Sequence, residues 1–254
     1  MSPPEPADKA HGGTVAMPGS TDAGGACKSA RVRIGVFGAT GPAGKAVAVQ
    51  LAHVGIDVVV GSRSTERAEA CVDELRNRWP DRALPLAPAG NEEAAGADLV
   101  VVATPWEGVL TTVNALAEPL AGKIVISMAN ALTRWGRDMV PLLPPTGSVT
   151  VAVARALPRS RVVGAFHHLP AEPWADLDHP LDADVLVCSD DRAATREVAA
   201  LIDRLPGLRP VDAGSLSSAL AIEALTPVLL EINRRYKTHA AVRVTGLPDR
   251  PGPE

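Results

Sequence analysis

Aromatic side chains are scarce in this chain: four Trp, two Phe and one Tyr make up 3% of 254 residues, so each ring is worth placing. Cysteine is scarcer still. Cys27, Cys71 and Cys188 are odd in number and widely spaced, which suits neither a disulfide framework nor a zinc ligand set and fits a reducing cytoplasm. A basic excess is missing too: the net charge is −4 and the pI about 5.9, which leaves no positive field to hold nucleic acid. No uncharged apolar run reaches the length of a membrane span, and the first residues lack the apolar core of a signal peptide, so no membrane partner is expected. There is no G-x-S-x-G motif and no cysteine in a recognisable nucleophile setting. His167 and His168 have no nearby Cys or His to complete a metal site, and neighbours along an extended chain point to opposite sides, so at most one of them faces a given rim. Asp176, Asp178 and His179 read as a loop, and no metal is expected.

What is abundant is small and aliphatic. Hydrophobic side chains make up 46% of the sequence, enough to bury a full core in one large domain, or one medium and one small. Residues 1–30 contain no Leu, Ile, Phe, Trp or Tyr and are predicted to be a disordered tail, as are residues 248–254.

The chain is organised around the stretch from Arg33 to Arg67. Ile34 to Phe37 reads as a short buried strand, Gly38 to Gly44 as a glycine-rich turn, Lys45 to His53 as a helix, and Asp57 to Val60 as a second strand stopping on Gly61, Ser62 and Arg63. This is half of a nucleotide-binding βαβ unit. A pyrophosphate laid against backbone needs residues without bulky Cβ groups, and it needs the open N–H groups and positive dipole of a helix N-terminus. Gly38, Gly41 and Gly44 meet the first need, and a helix starting near Pro42 meets the second. The pattern is G-x-x-G-x-x-G with Thr40 at its middle position. Glycine clusters are more often plain turns, and here the flanking strands favour the nucleotide reading. At the end of the second strand an NAD-binding unit places a carboxylate on the ribose hydroxyl. This chain has Ser62 and Arg63 there, while Asp57 lies at the strand's other end, roughly 10 Å away at about 3.3 Å per residue. A guanidinium and a hydroxyl, joined by Arg67 one helical turn on, suit a 2′-phosphate and hence NADP.

Further along, Thr65 to Trp79 is predicted helical from apolar positions three and four apart. A weak strand over Ala83–Leu86 and a short helix over Asn91–Ala95 follow. Asp98 to Ala103 is a buried strand ending on Thr104, Pro105, Trp106 and Glu107. A helix from Gly108 to Leu116 leads to another buried strand, Lys123 to Ser127, ending on Asn130. Apolar strands alternating with helices imply α/β architecture, a parallel sheet covered on both faces, with ligands beyond the carboxyl ends of the strands. That puts Thr40, Ser62, Thr104 and Asn130 on one rim. Ser148 to Leu157 reads as strand or helix, the helix favoured by Pro158 after it. Arg161 to Phe166 is a strand entering His167, His168, Leu169 and Pro170, followed by a loop rich in Asp and Pro to Asp182. A second unit has strands at Ala183–Cys188 and Leu208–Val211, a helix at Ala193–Leu205, and a long helix from Ser215 to Tyr236. The apolar face of that last helix either packs on its own domain or covers a partner subunit. Trp106 either packs over the next helix or covers a cofactor. Arg234, Arg235, Lys237 and Arg243 are either a solvated face or an attractor for an anionic substrate tail.

Taken together, residues 34–44, Val60 to Arg63, Thr104 to Glu107, His167, Val211 to Gly214, Glu223 to Pro227, and the ending from Ile232 to Leu247 resemble, in order and spacing, the NADPH-dependent coenzyme F420 reductases, and the ending resembles their actinobacterial branch. The resemblance implies a homodimer, with a Rossmann-type doubly wound domain over residues 31–166, a small C-terminal α/β domain over 167–247, and a deazaflavin site at their interface. It implies that Thr40, Gly41, Pro42 and Ala43, beside Gly38, hold the pyrophosphate, and that Ser62, Arg63 and Arg67 hold the 2′-phosphate. Trp106, Leu110, Asn130 and Ala171 would line the rest of the NADP cleft with Thr104, and His167, Leu169, Pro170 and Ala241 would border the deazaflavin. Hydride transfer between stacked rings needs orientation and exclusion of water, and the ring nitrogen can take its proton from solvent. No general acid is assigned, and His167 is expected to orient. Two other readings remain: an NADP-dependent reductase of an imine, keto compound or flavin on the same scaffold, and a non-catalytic NADP-sensing protein that binds a partner through its C-terminal helix.

Overall fold

A computed structural model describes residues 32–247; the two predicted tails and Cys27 lie outside the described residues. Strand β1 (Arg33–Phe37) enters helix α1 (Pro42–His53), then β2 (Asp57–Ser62), α2 (Thr65–Arg78), β3 (Leu86–Gly90), α3 (Asn91–Ala95), β4 (Leu99–Val102), α4 (Trp106–Ala115), α5 (Ala117–Leu120) and β5 (Ile124–Ser127). A hairpin of β6 (Leu132–Trp135) and β7 (Asp138–Pro141) precedes α6 (Val149–Ala156), β8 (Arg161–Gly164) and the four-residue α7 (Ala171–Trp174). Then come β9 (Ala183–Val187), α8 (Arg192–Ile202), β10 (Leu208–Asp212), a 3₁₀ turn (Leu216–Ser218) and α9 (Ala219–Tyr236).

Six strands form one sheet in the order β3-β2-β1-β4-β5-β8, all parallel. The chain works outward from β1 to β3, then restarts at β4 on the other side, so the order reverses between β1 and β4. In a doubly wound sheet that reversal opens a crevice at the strands' carboxyl ends. Side chains alternate faithfully. Ile34, Val36, Val58, Val60, Val101, Ile126 and Val163 face one core with α1, α2 and α8. Val59, Val100, Val102, Val125 and Val162 face the other with α3, α4 and α6. Burial on both faces explains why these strands are nearly unbroken Val and Ile.

Close approach dictates one residue that periodicity does not. A Cβ on Gly35 would stand 2.1 Å from the Ala94 carbonyl oxygen, so the short α3 lies directly on β1 only because that position is glycine.

The second unit is fastened to the sheet at its edge. Gly164 and Cys188 exchange backbone bonds of 2.8 and 3.0 Å, joining the end of β8 to the end of β9. β9 and β10 pair in parallel around α8, and the core under α1 continues into Trp174, Val185 and Val198. Asp184, fully buried, takes two bonds of 2.7 Å from Arg209, one from Arg243 at 2.9 Å and the Val244 N–H at 2.6 Å, which pins the C-terminal segment to β9. Burial pushes the Asp184 carboxyl up, and these donors overcome it and hold its pKa at about 2. Leu216–Tyr236 is long and apolar enough by composition to cross a membrane; within it, Glu223 is buried and bonded to the start of α6.

Several boundaries move. The weak strand expected at Ala83–Leu86 is β3, three residues later, and it includes Pro88, which an edge strand tolerates because one side of its ladder is unpaired. The stretch expected as strand or helix at Ser148–Leu157 is helix α6, with the Ser148 hydroxyl capping it by accepting the Val151 N–H at 3.0 Å. α4 starts at Trp106 rather than Gly108. The hairpin β6–β7, turning on Gly136 at φ 62°, and the single turn α7 were not expected at all.

Candidate active site

The turn between β1 and α1 sits at the crevice, and its three glycines differ in purpose. Gly38 has φ 73°, and a Cβ there would lie 2.7 Å from the Thr104 nitrogen; a Cβ on Gly44 would lie 2.3 Å from the Gly38 oxygen. Those two are demanded by the fold. At Gly41 the nearest atom to an added Cβ would be 3.5 Å away, ordinary contact, so the protein's own packing does not require glycine there. Gly41 is the N-cap of α1, Pro42 fills the first position, and no side chain caps the helix, which leaves first-turn N–H groups at Ala43 and Gly44 open to an anion.

At the end of β2, Ser62 is buried, and its hydroxyl accepts the Ser64 N–H at 3.3 Å. Arg63 and Arg67 are exposed, and among the described residues no carboxylate pairs with either guanidinium, whereas Arg33, Arg82, Arg161 and Arg209 are all in ion pairs. Glu66 stands nearby, occupied by the Ser64 hydroxyl at 2.5 Å, a bond that holds its carboxyl below the usual range. Asp57 is at the far end of the strand, in register with Arg33. The carboxylate that would greet a ribose hydroxyl is therefore absent from the tip of β2, and two cations stand in its place.

Along the rest of the rim, buried polar atoms lack partners. Of nine such side-chain atoms among the described residues, six belong to Asn91, Thr104, Trp106, Ser127, Asn130 and His167, on or just after the carboxyl ends of β3, β4, β5 and β8. Leaving such an atom unpaired costs about 1–3 kcal/mol. They are concentrated along one edge of the sheet, where an unpaired polar atom calls for an explanation. Trp106 packs against the core, and its indole nitrogen is nevertheless one of the unpaired atoms. Leu110, 41% exposed, is one turn further along α4.

The end of β8 is the most constrained part. Phe166 adopts φ 66°, unusual for an aromatic residue, and stacks on Trp174 with ring centroids 5.2 Å apart. Strain of this kind costs on the order of 1–3 kcal/mol and persists where the surroundings overdetermine it. The His167 carbonyl accepts from Asn130 Nδ2 at 2.9 Å and from Thr226 Oγ1 at 3.0 Å. The two imidazoles then diverge, although His167 and His168 lie in a turn rather than an extended strand. His167 Nε2 lies 3.2 Å from the Thr150 hydroxyl, while His168 Nε2 accepts the Leu186 N–H at 3.2 Å. Burial drives His167 down to about 3, with His168 adding to it, and burial drives His168 down to about 4. Both are neutral at physiological pH. Leu169, Pro170 and Ala171 follow, half-buried; Leu169 and Ala241 lean on the same core as Ala43. Ser127, Thr150 and Glu223 are polar residues here that were given no role from sequence. The signal for Glu223 was an acid set among Ile222, Ala224 and Leu225, where a charge is expensive unless paired.

Comparison with known proteins gives the family. The family described as "NADP oxidoreductase coenzyme F420-dependent" matches residues 33–131. The F420-dependent NADP reductase of Methanocaldococcus jannaschii is 36% identical over 222 residues, covering 85% of this chain and 99% of that protein. The enzyme of the same name from Methanothermobacter marburgensis is 30% identical over 224 residues, covering 86% and 100%. The crystal structure of a protein from Arthrobacter sp. FB24 superposes with a TM-score of 0.70 at 30% identity, covering 82% of this chain and 96% of that one. With relatives at 30–36% identity and alike over nearly their full length, this chain belongs to the family of coenzyme F420-dependent NADP reductases.

Proposed function

We propose that the protein transfers a hydride between NADP(H) and the deazaflavin coenzyme F420, reversibly, as NADPH plus oxidised F420 giving NADP⁺ plus reduced F420. NADPH supplies the hydride, and the deazaflavin ring takes it up together with a proton. The observation that carries the reading is the row of unpaired buried polar atoms along the sheet's carboxyl edge, beside an uncapped helix and an unpaired arginine couple.

In this reading Thr40, Gly41, Pro42 and Ala43 hold the pyrophosphate, and Ser62, Arg63 and Arg67 hold the 2′-phosphate. Thr104, Trp106, Leu110, Asn130 and Ala171 line the nicotinamide half of the cleft. His167, Leu169, Pro170 and Ala241 border the deazaflavin. Neutral, buried His167 orients and is no proton source, so the chemistry rests on holding two flat rings in contact and keeping water out. Residues 31–166 form the dinucleotide domain and 167–247 the smaller one. The protein works as a cytoplasmic homodimer, supported by Leu220, Val228 and Leu230, apolar residues 40–52% exposed on α9.

Mixing the protein with NADPH and oxidised F420 and following loss of the deazaflavin's visible absorbance tests the reading. Turnover supports it. Bound NADPH with no turnover would favour another acceptor on this scaffold, and nucleotide-dependent association with another protein, without transfer to any acceptor, would favour a sensor.

A further inference from the structure

Glu223 lies in the apolar stripe of α9 and is only 4% exposed, an expensive place for a carboxylate. It is reached by three donors from the start of α6: Val149 N–H to Oε2 at 2.9 Å, Thr150 N–H to Oε1 at 2.9 Å, and the Thr150 hydroxyl to Oε1 at 2.8 Å. The two backbone groups can only donate. Each carboxyl oxygen is thus engaged as an acceptor, and the positive end of α6 favours the charged form. Burial pushes the other way and raises the Glu223 pKa, and the convergent donors oppose it.

A consequence runs one bond further. Thr150 has a single hydroxyl proton, and it is committed to Glu223. Towards His167 Nε2, 3.2 Å away, Thr150 Oγ1 can only accept, so that nitrogen must carry the hydrogen. Neutral imidazole holds one N–H, which leaves Nδ1 a bare lone pair. The structure gives Nδ1 no partner among the described residues although it is buried. The His167 carbonyl is clamped independently by Asn130 and Thr226, so the ring's position and its tautomer have separate supports.

We propose that Glu223 and Thr150 are positioning residues that lock His167 in its Nε2–H tautomer, so that Nδ1 presents an acceptor to an amide-type N–H of the bound ligands. This deepens the proposed function and rests on it. Such an N–H is carried by the nicotinamide carboxamide and by the imide of the deazaflavin's pyrimidinedione ring. A histidine so fixed recognises a donor and does not deliver a proton.

The test is ¹⁵N NMR of the full-length protein labelled at histidine, with His167 assigned by its loss in His167→Gln. The wild-type protein is expected in the Nε2–H form. Thr150→Ser, which keeps the hydroxyl, should preserve it, and Thr150→Val should yield mixed tautomers with kcat lower by about tenfold, the scale of one lost hydrogen bond in the transition state. An Nδ1–H ring in the wild-type protein overturns the proposal, as does Thr150→Val keeping both the tautomer and kcat. A shift of the Nδ1 resonance on adding NADP⁺ assigns the donor to the carboxamide, and a shift only on adding F420 assigns it to the imide. Binding of both without any shift overturns the ligand contact. Absence of F420 turnover by a wild-type protein with the expected tautomer would count against the proposed function and leave the Glu223–Thr150–His167 lock standing.

Discussion

Asn130 reaches from the end of β5 to the end of β8 and donates its Nδ2 hydrogen to the backbone carbonyl of His167 at 2.9 Å. Thr226 on α9 donates to the same oxygen at 3.0 Å. One carbonyl therefore gathers the ends of two neighbouring strands and the C-terminal helix at the point where the rings are proposed to meet. Because the two donors share an acceptor, their losses should not add. Asn130→Ala and Thr226→Val are each expected to cost about 1 kcal/mol. A double-mutant cycle by denaturant unfolding should give a coupling of at least about 0.5 kcal/mol. Strict additivity would show that the donors act independently.

The cationic couple predicts nucleotide choice. Removing one charge-assisted contact of about 1.5–3 kcal/mol should raise the KM for NADPH by roughly tenfold or more. Arg63→Ala is therefore expected to damage NADPH kinetics far more than NADH kinetics. Equal damage to both would show that Arg63 does not meet the 2′-phosphate.

The three glycines should separate into two behaviours. Gly38→Ala meets backbone at 2.7 Å from a positive φ, and Gly44→Ala meets it at 2.3 Å, so both should lower the melting temperature. Gly41→Ala has room, with its nearest neighbour at 3.5 Å, and should melt close to the wild type while binding NADPH more weakly. Unchanged affinity in a stable Gly41→Ala protein would remove this glycine from the pyrophosphate site.

Acid stability should report the paired histidines. Both are held below their ordinary 6.5 by burial, so the unfolded chain binds protons that the folded one refuses. Stability from this source is complete above pH 6.5 and is lost as the pH falls towards about 4, at about 1.4 kcal/mol per pH unit for each ring. His168→Gln should roughly halve that slope in urea titrations across the same window. An unaltered slope would mean that His168 is already protonated in the native state.

Much of this was legible in the sequence, and the reason is local. Strands buried on both faces are written as unbroken Val and Ile, and the turn from Gly38 to Gly44 sits between such a strand and a helix, so the β1–α1–β2 unit and its Arg63 could be read directly. β3 was displaced because Pro88 argues against a strand unless its place at the sheet edge is known. The β6–β7 hairpin escaped because it is only partly buried, with Trp135 at 78% exposure, and so has no apolar alternation to display. Glu223 stood out only as an acid among apolar neighbours and as part of a resemblance: its partners Val149 and Thr150 are more than seventy positions earlier, and nothing short of the fold brings them together.

In the proposed reaction hydride passes directly from one ring to the other within a single cleft, and labelled nucleotide reads that event itself. In a single turnover with NADPH deuterated at the transferring carbon, the deuterium is expected on a ring carbon of the reduced deazaflavin. Deuterium released to water, or an oxidised deazaflavin left untouched while NADPH stays bound, would contradict it.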